Sequence, residues 1–467
     1  MQRLSPLDAM FLSEDSAHVP RQIASLAVLE PGSGLDYDRL IGVIAERLDI
    51  VPRYRQVPRR VPGALGTPVW VDDEDFDISM HVRRSALPRP GTREALHELV
   101  GRLVARRLDL ERPLWELYLV EGLEGGGVAL LFKAHQALVD GSETIDLAQV
   151  LLEETDRVRD LPHEEWTPRP GPGRVGLVRS TLARNVQRPG ETLRITEQNL
   201  GRLARRLPVL GGSPPPLRGV LTTPLSRHRR FSSVVTELED FRRIKDEHGG
   251  SVNDGILAAV TGGLRAWMMT RAEPVAAKTS FRAMVPMSVA PEEPGGLPTS
   301  LGSTVRGHLL SLPVGESNPV VRLHQVSYAL KDHRETASAV AANKLASLPG
   351  FATSTFHAVG ARVAAADGAR PHHLVVTNVP GPQEPVYMAG GQVLEVYPCI
   401  PLTDQHAVSI GVTSYDGRVF FGLVADREAV PDVDVLAQCI SEAVEELTET
   451  VGPRRGRAPR GRQKPRR

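Results

Sequence analysis

The stretch LLFKAHQALVDGSET, Leu130 to Thr144, sets an imidazole, an amide and a carboxylate close together in the chain: His135, Gln136 and Asp140, followed by Gly141. Histidine is the side chain best suited to take a proton near neutral pH. A base of that kind is worth about 10²–10⁴-fold in rate. Glutamine has no titratable group in this range. It can hold a hydroxyl or donate to a developing oxyanion, but it cannot be a general base. If residues 130–136 are extended, His135 and Gln136 point to opposite faces. A strand end or bulge before Asp140-Gly141 would let His135 turn inward. Two readings of His135 therefore stand, a working base or a packed, hydrogen-bonded histidine, and Asp140-Gly141 also reads as a plain turn. His372-His373 reads as one core and one surface histidine in an apolar strand.

These residues need elements to hold them. RQIASLAVLEPG, LWELYLVEG and GVALLFKAH alternate as strands, the last two joined by the turn-forming LEGGG. DYDRLIGVIAERLDIVPRYRQ predicts a helix, with Leu40, Ile44 and Leu48 on one face. TREALHELVGRLVARRLDLERP predicts another, burying Leu96, Leu99, Val100, Leu103 and Val104. ETIDLAQVLLEE reads as a helix after the Asp-Gly bend. Later, LEDFRRIKDEHGGSVNDGILAAVTGGLRAWMM is helix, turn, helix, with Asn253 or Asp254 as cap of the second. SFRAMVPMSV and HHLVVTNVPGP read as strands, and VVRLHQVSYALKDHRET as a helix. AVSIGVTSYDGRVFFGLVADRE is a hairpin closed at Asp416-Gly417, and VDVLAQCISEAVEEL is a final helix. Strands and helices are mixed in each half, which predicts α/β or α+β layers rather than a regular barrel.

The 467 residues are too many for one ordinary core. No run of 18 apolar residues occurs, and the first residues lack the basic and apolar regions of a secretory signal. Two cysteines, Cys399 and Cys439, fit a reducing compartment. No CxxC, HExxH, GxGxxG or GxxxxGK[ST] appears, so metal, dinucleotide and P-loop chemistry have no sequence support.

The net charge of zero conceals a partition. Residues 452–467 carry eight Lys/Arg and no acid, leaving 48 basic and 56 acidic residues elsewhere. With almost nothing apolar, that tail is expected to be disordered. Between Arg169 and Arg230 stand 13 Arg and only two acids. This segment holds two basic amphipathic patterns, RVGLVRSTLARNVQR and ITEQNLGRLARRLPVL. The tail reads as a solubilising appendage or a contact for an anionic membrane. The middle segment reads as a crossover linker or a membrane-facing surface. Nucleic acid is disfavoured because no nucleic-acid motif accompanies the charge.

Several stretches recur in one order: LSPLDAMFL, GTPVWVDDEDFDISMHVRRSALPRPG, RPLWELYLVEGL, HQALVDG, SVNDGILAAVTGGLR, MVPMSV and NVPGPQEPVYMAGGQV. Together, over roughly residues 4 to 450, they resemble the bacterial wax ester synthase/diacylglycerol acyltransferase family, particularly its actinobacterial triacylglycerol synthases. The resemblance implies two chloramphenicol-acetyltransferase-like domains forming a pseudo-dimer with a tunnel between them. It implies acyl transfer from acyl-CoA, as substrate and without a cofactor, to the hydroxyl of a diacylglycerol or long-chain alcohol.

The family motif is HHxxxDG, so Gln136 stands where the family has its base. The resemblance gives Asp140 a structural role, pairing with an arginine, and puts Asn253 and Asp254 at the border of the site, with helix capping as the competing reading. Ser303 replaces an expected asparagine, and APEEPGG follows VPMSV where the family commonly has an arginine. The expected division is 1–160, an acyltransferase-like domain carrying the motif; 161–230, a basic Pro-rich crossover; 231–451, a second such domain; and 452–467, the tail. The expected location is the cytoplasmic face of a membrane or a lipid droplet. The alternative is a catalytically impaired acyl-CoA or lipid binder.

Overall fold

The computed structural model describes residues 2–64, 66–139, 147–159, 166–187, 219–288, 305–336, 353–366 and 371–452. Two mixed sheets organise the chain, with helices packed on them. In the first sheet the spatial order is β4 (Val82–Ala86), β5 (Trp115–Glu121), β6 (Val128–His135), β1 (Gln22–Leu29), β13 (Gly391–Cys399), β12 (Tyr387–Met388) and β7 (Leu152–Glu153). The second runs β10 (Val305–Leu312), β9 (Phe281–Ser288), β11 (Leu374–Pro380), β14 (Val408–Tyr415), β15 (Arg418–Asp426) and β8 (Arg229–Glu237). A small ribbon pairs β2 (Gln56–Arg59) with β3 (Val69–Asp72).

The helices are α1 (Pro6–Glu14), α2 (Tyr37–Arg47), α3 (Arg93–Ala105), α4 (Leu147–Val150), α5 (Arg174–Gln187), α6 (Leu238–His248), α7 (Val252–Thr270), α8 (Pro319–Thr336), α9 (Thr353–Ala366) and α10 (Val433–Glu449). Among the described residues, no helix is long and apolar enough to cross a membrane.

Local chemistry explains much of this. Thr92 caps α3 by accepting from the Ala95 amide, and Leu96, Leu99 and Val100 are buried as their spacing predicts. The β14–β15 hairpin turns through Asp416 and Gly417, both at positive φ, as a two-residue connection of twisted strands requires. Three expectations change. The helix expected over 143–154 is short where it is described, ending at Val150, and Leu152–Glu153 pairs with β12 instead. The cap of α7 is Ser251, not Asn253 or Asp254; Asp254 sits three residues on and closes the reciprocal capping box. His373 is not a surface residue: both it and His372 are buried, just ahead of β11, with His372 stacked on His406 at 3.8 Å.

β13 links the two sheets. It pairs antiparallel with β1, matching Pro398 to Ser25, while Pro398 also rests on the second sheet. Its seat is made by two paired glycines, Gly411 on β14 and Gly422 on β15. A Cβ at Gly422 would come within 2.1 Å of the Pro398 carbonyl oxygen, and one at Gly411 within 2.7 Å of its ring. Only glycine at both places lets β13 lie this close.

Candidate active site between the two sheets

β6 ends at His135, and Gln136 begins the turn. Both side chains are buried, each about 1% exposed. Phe132 of β6 and its β1 partner Ser25 face a cavity, whereas Lys133 lies on the opposite face, bonded to Glu116 and the Arg106 carbonyl. By strand alternation His135 shares the Lys133 face. Its register partner Gln22 donates to the carbonyls of Val104 and Arg106 and accepts from the Leu108 amide. The His135 face is thus packed against the end of α3.

The geometry also sets the tautomer. The Ala137 amide donates to His135 Nδ1 at 3.0 Å. In the neutral ring the proton must then sit on Nε2, which has no hydrogen-bond partner among the described residues. Burial, followed by the charges of Arg362, Arg21 and Arg107, pushes the His135 pKa down to about 3. In this arrangement His135 is a neutral N–H donor rather than a proton acceptor.

The turn after β6 is held from two sides. The Gln136 amide donates to the Arg21 carbonyl at 2.9 Å. The Gln136 carbonyl accepts from the Arg362 guanidinium of α9. Arg362 also pairs with Asp8 Oδ1 at 2.5 Å and lies over the Phe11 ring, 5.0 Å from its centroid. Asp8 is itself fixed by Ser5, whose hydroxyl donates to Oδ2 at 2.6 Å in the α1 capping box. A buried ion pair therefore ties α1, the turn and α9 together, and the further hydrogen bonds to Asp8 Oδ2 and from Arg362 to the Gln136 carbonyl help such a pair to be tolerated. Gln136 Oε1 is buried and has no hydrogen-bond partner among the described residues.

Asn253 and Asp254 separate in role. Asp254 accepts from the Ser251 amide and hydroxyl and from the Ser327 hydroxyl, a helix-capping arrangement. Asn253 Oδ1 accepts from Asn378 Nδ2 at 2.8 Å, so the SVNDG and TNVPGP stretches meet. Asp140, Gly141, Ser303, the stretch APEEPGG, the second basic amphipathic pattern and the tail from residue 453 lie outside the described residues.

Phe132 faces a partly open cavity that lies between the sheets. Ile23, Ser25 and Ala27 of β1 line it, with Val139 just before Asp140, Pro398 of β13, Thr413 and Tyr415 of β14, and His357 of α9. The wall is mostly apolar. The Thr413 and Tyr415 hydroxyls bond the Val379 and Val393 carbonyls. Such a chamber suits a long hydrocarbon chain with few polar anchors. Among the described residues no cluster of three or more His, Cys, Asp or Glu side chains could hold a metal ion.

Residues of the site that the sequence did not single out are Asp8, Arg362 and His357. Asp8 lies inside the recurring LSPLDAMFL stretch. Arg362 was recoverable in principle as a lone cation in the Ala- and Val-rich segment FHAVGARVAAA.

The wax ester synthase/diacylglycerol acyltransferase catalytic domain matches residues 4–256, and the C-terminal domain of the same family matches residues 301–448. The chain belongs to this family. A Mycobacterium tuberculosis member named a probable diacylglycerol O-acyltransferase, tgs1, is 32% identical over 96% of both chains. Another from that organism, tgs3, with the same description, is 40% identical over 52% of this chain and 95% of its own. The wax ester synthase/diacylglycerol acyltransferase of Marinobacter aquaeolei VT8 superposes with a TM-score of 0.66 at 24% identity, covering 97% of this chain and 100% of that one. That superposition supports the two-domain α/β architecture expected from the sequence. In this member of the family Gln136 follows a His135 that is set as a donor.

Proposed function

We infer that the protein moves a long-chain acyl group from acyl-CoA to the hydroxyl of a diacylglycerol, making triacylglycerol, with long-chain alcohols as a second acceptor class giving wax esters. The observation that carries this reading is the apolar cavity between the sheets, reaching Val139 beside the signature Asp140-Gly141 of a family member. Binding both reactants in one largely apolar cleft replaces a bimolecular encounter with a positioned one. Gln136, Asp140 and Gly141 belong to the signature motif, whose His135 is set as a neutral N–H donor. Asn253 and Asp254 border the second half of the site.

Residues 1–160 and 231–451 form the two acyltransferase-like halves, and 161–230 crosses between them. The substrates are membrane lipids, and the Arg-rich 169–230 segment and the 452–467 tail would attract an anionic leaflet or droplet surface. Deleting residues 452–467 then lowers the fraction sedimenting with anionic vesicles at low salt; an unchanged fraction removes the tail from the docking role.

A second reading rests on Gln136: a binder of acyl-CoA that no longer turns over. CoA release from palmitoyl-CoA, with dipalmitoylglycerol or hexadecanol in mixed micelles, decides between them. Acceptor-dependent release supports the enzyme, and palmitoyl-CoA binding without release supports the binder.

A further inference from the structure

Gln136 leaves the acyl transfer without its usual proton acceptor, and His135 does not replace it, because its acceptor nitrogen is already bonded to the Ala137 amide. The cavity wall holds a second histidine. His357 is 2% exposed and lines the chamber together with Val139, Ser25 and Thr413. Its Nδ1 lies 2.8 Å from Thr377 Oγ1, and its Nε2 has no hydrogen-bond partner among the described residues. A buried imidazole nitrogen left unpaired in an apolar wall is costly, which points to a partner that arrives with the ligand.

We propose that His357 Nε2 is the general base that takes the proton of the acceptor hydroxyl in this protein, in place of the side chain lost at position 136. The proposal rests on the acyltransferase reading above.

The surroundings fit the task. Thr377 offers a hydroxyl that accepts as readily as it donates. The tautomer with the proton on Nδ1 therefore keeps its hydrogen bond and frees the Nε2 lone pair, a choice that the backbone amide denies to His135. The helix is set close to the sheet by Gly360, where a Cβ would lie 3.2 Å from Pro286 and 3.6 Å from the Thr377 methyl. The same helix carries Arg362, whose guanidinium grips the Gln136 carbonyl, so one rigid element positions His357 relative to the signature turn. Burial holds His357 neutral, with its pKa pushed down to about 3. The negative charge that develops on the thioester oxygen favours the protonated ring during the reaction.

In the step, the acceptor O–H proton passes to Nε2 as the hydroxyl oxygen bonds to the thioester carbonyl carbon. The tetrahedral intermediate then expels the thiolate by breaking the C–S bond. Nε2 returns the proton to sulfur, giving ester, free CoA and neutral His357.

The test is CoA release by the full chain with palmitoyl-CoA and diacylglycerol in mixed micelles, with thermal midpoints as a folding control. The variants are His357→Asn, His357→Ala with and without added imidazole, Thr377→Val, Gln136→His, and Gln136→His combined with His357→Asn. The expected result is a fall in kcat of about 10²–10⁴-fold in His357→Asn, with KM for palmitoyl-CoA little changed. Imidazole restores part of the rate to His357→Ala, and Gln136→His restores it in the His357→Asn background. Thr377→Val, which keeps shape and imidazole, lowers kcat by a smaller factor, so the proposal stays testable if the His357 variants do not fold. Wild-type kcat in His357→Asn or in Thr377→Val overturns the proposal. So does a wild type that binds palmitoyl-CoA silently while Gln136→His turns over, an outcome that leaves the acyltransferase frame intact. Silence in both the wild type and Gln136→His removes the acyl-transfer reading itself.

Discussion

His135 and His357 are nearly matched in burial and in the depression of their pKa to about 3, yet they are chemically opposite. The first closes a strand on a face packed by backbone carbonyls and a buried Lys133–Glu116 pair, and a main-chain amide fixes its proton on Nε2. The second lies on a helix against a cavity, and its partner is a threonine hydroxyl that can rotate. The difference teaches that a histidine's place in a motif says less about proton transfer than the donor or acceptor character of whatever touches its other nitrogen.

The largest effect should come from the residue that joins these two regions. Arg362→Met strands Asp8 as a buried carboxylate without its cation, and breaking such a pair costs about 3–5 kcal/mol. Urea unfolding would read this as a lowered midpoint at unchanged slope. A loss below about 1 kcal/mol, the range of surface pairs, would show that the two regions are not coupled through this pair.

Gly422→Ala separates the regions. The new methyl meets the Pro398 carbonyl, and overpacking of this kind costs about 1–3 kcal/mol. Pro398 lines the cavity that His357 faces, so turnover should fall while the His135 side of the sheet is undisturbed. Equal activity at a lowered thermal midpoint would detach the cavity from the chemistry.

Acid stability sharpens the comparison further. Both histidines have folded pKa values well below the ordinary value near 6.5, so the unfolded chain binds the protons and stability falls as pH drops from about 6.5 toward 3. Each ring contributes a slope of up to ~1.4 kcal/mol per pH unit in that window. Replacing either one by asparagine should flatten the decline by a similar amount. An unchanged slope in His357→Asn would mean that this ring is hydrated and already open to protons.

The smallest effect belongs to the Asn253–Asn378 corner. Asn378→Ala removes one half-buried hydrogen bond worth about 0.5–1.5 kcal/mol. Its use is diagnostic: a change in KM for the acceptor, with kcat unchanged, would put this corner on the acceptor's side of the cavity.

The readable parts of the sequence were those set by neighbouring residues. The alternation of β14 and β15, the Asp416-Gly417 turn, and the apolar stripe and Thr92 cap of α3 follow from local stereochemistry. α9 carried no such signal. Its run of Ala, Val and Gly presents no wide polar face, because the helix is pressed between sheet and cavity, so its His357 and Arg362 passed as incidental. Leu152–Glu153 looked helical because its strand partner lies far along the chain. The HQALVDG stretch covers the end of β6 and the start of the turn after it. Of the groups that hold this turn, the Ala137 N–H is local, whereas Arg362 is supplied by distant sequence.

The pairing of β1 with β13 has a further consequence, in time rather than space. Leu29 waits for Val393, more than 360 residues later. At about 5–20 residues per second, translation leaves one edge of β1 bare for roughly 20–70 s. An exposed apolar strand edge is a template for pairing with other chains. The nascent protein therefore carries its greatest aggregation risk before its cavity exists, and chaperone supply during synthesis should limit its soluble yield more than the stability of the finished fold does.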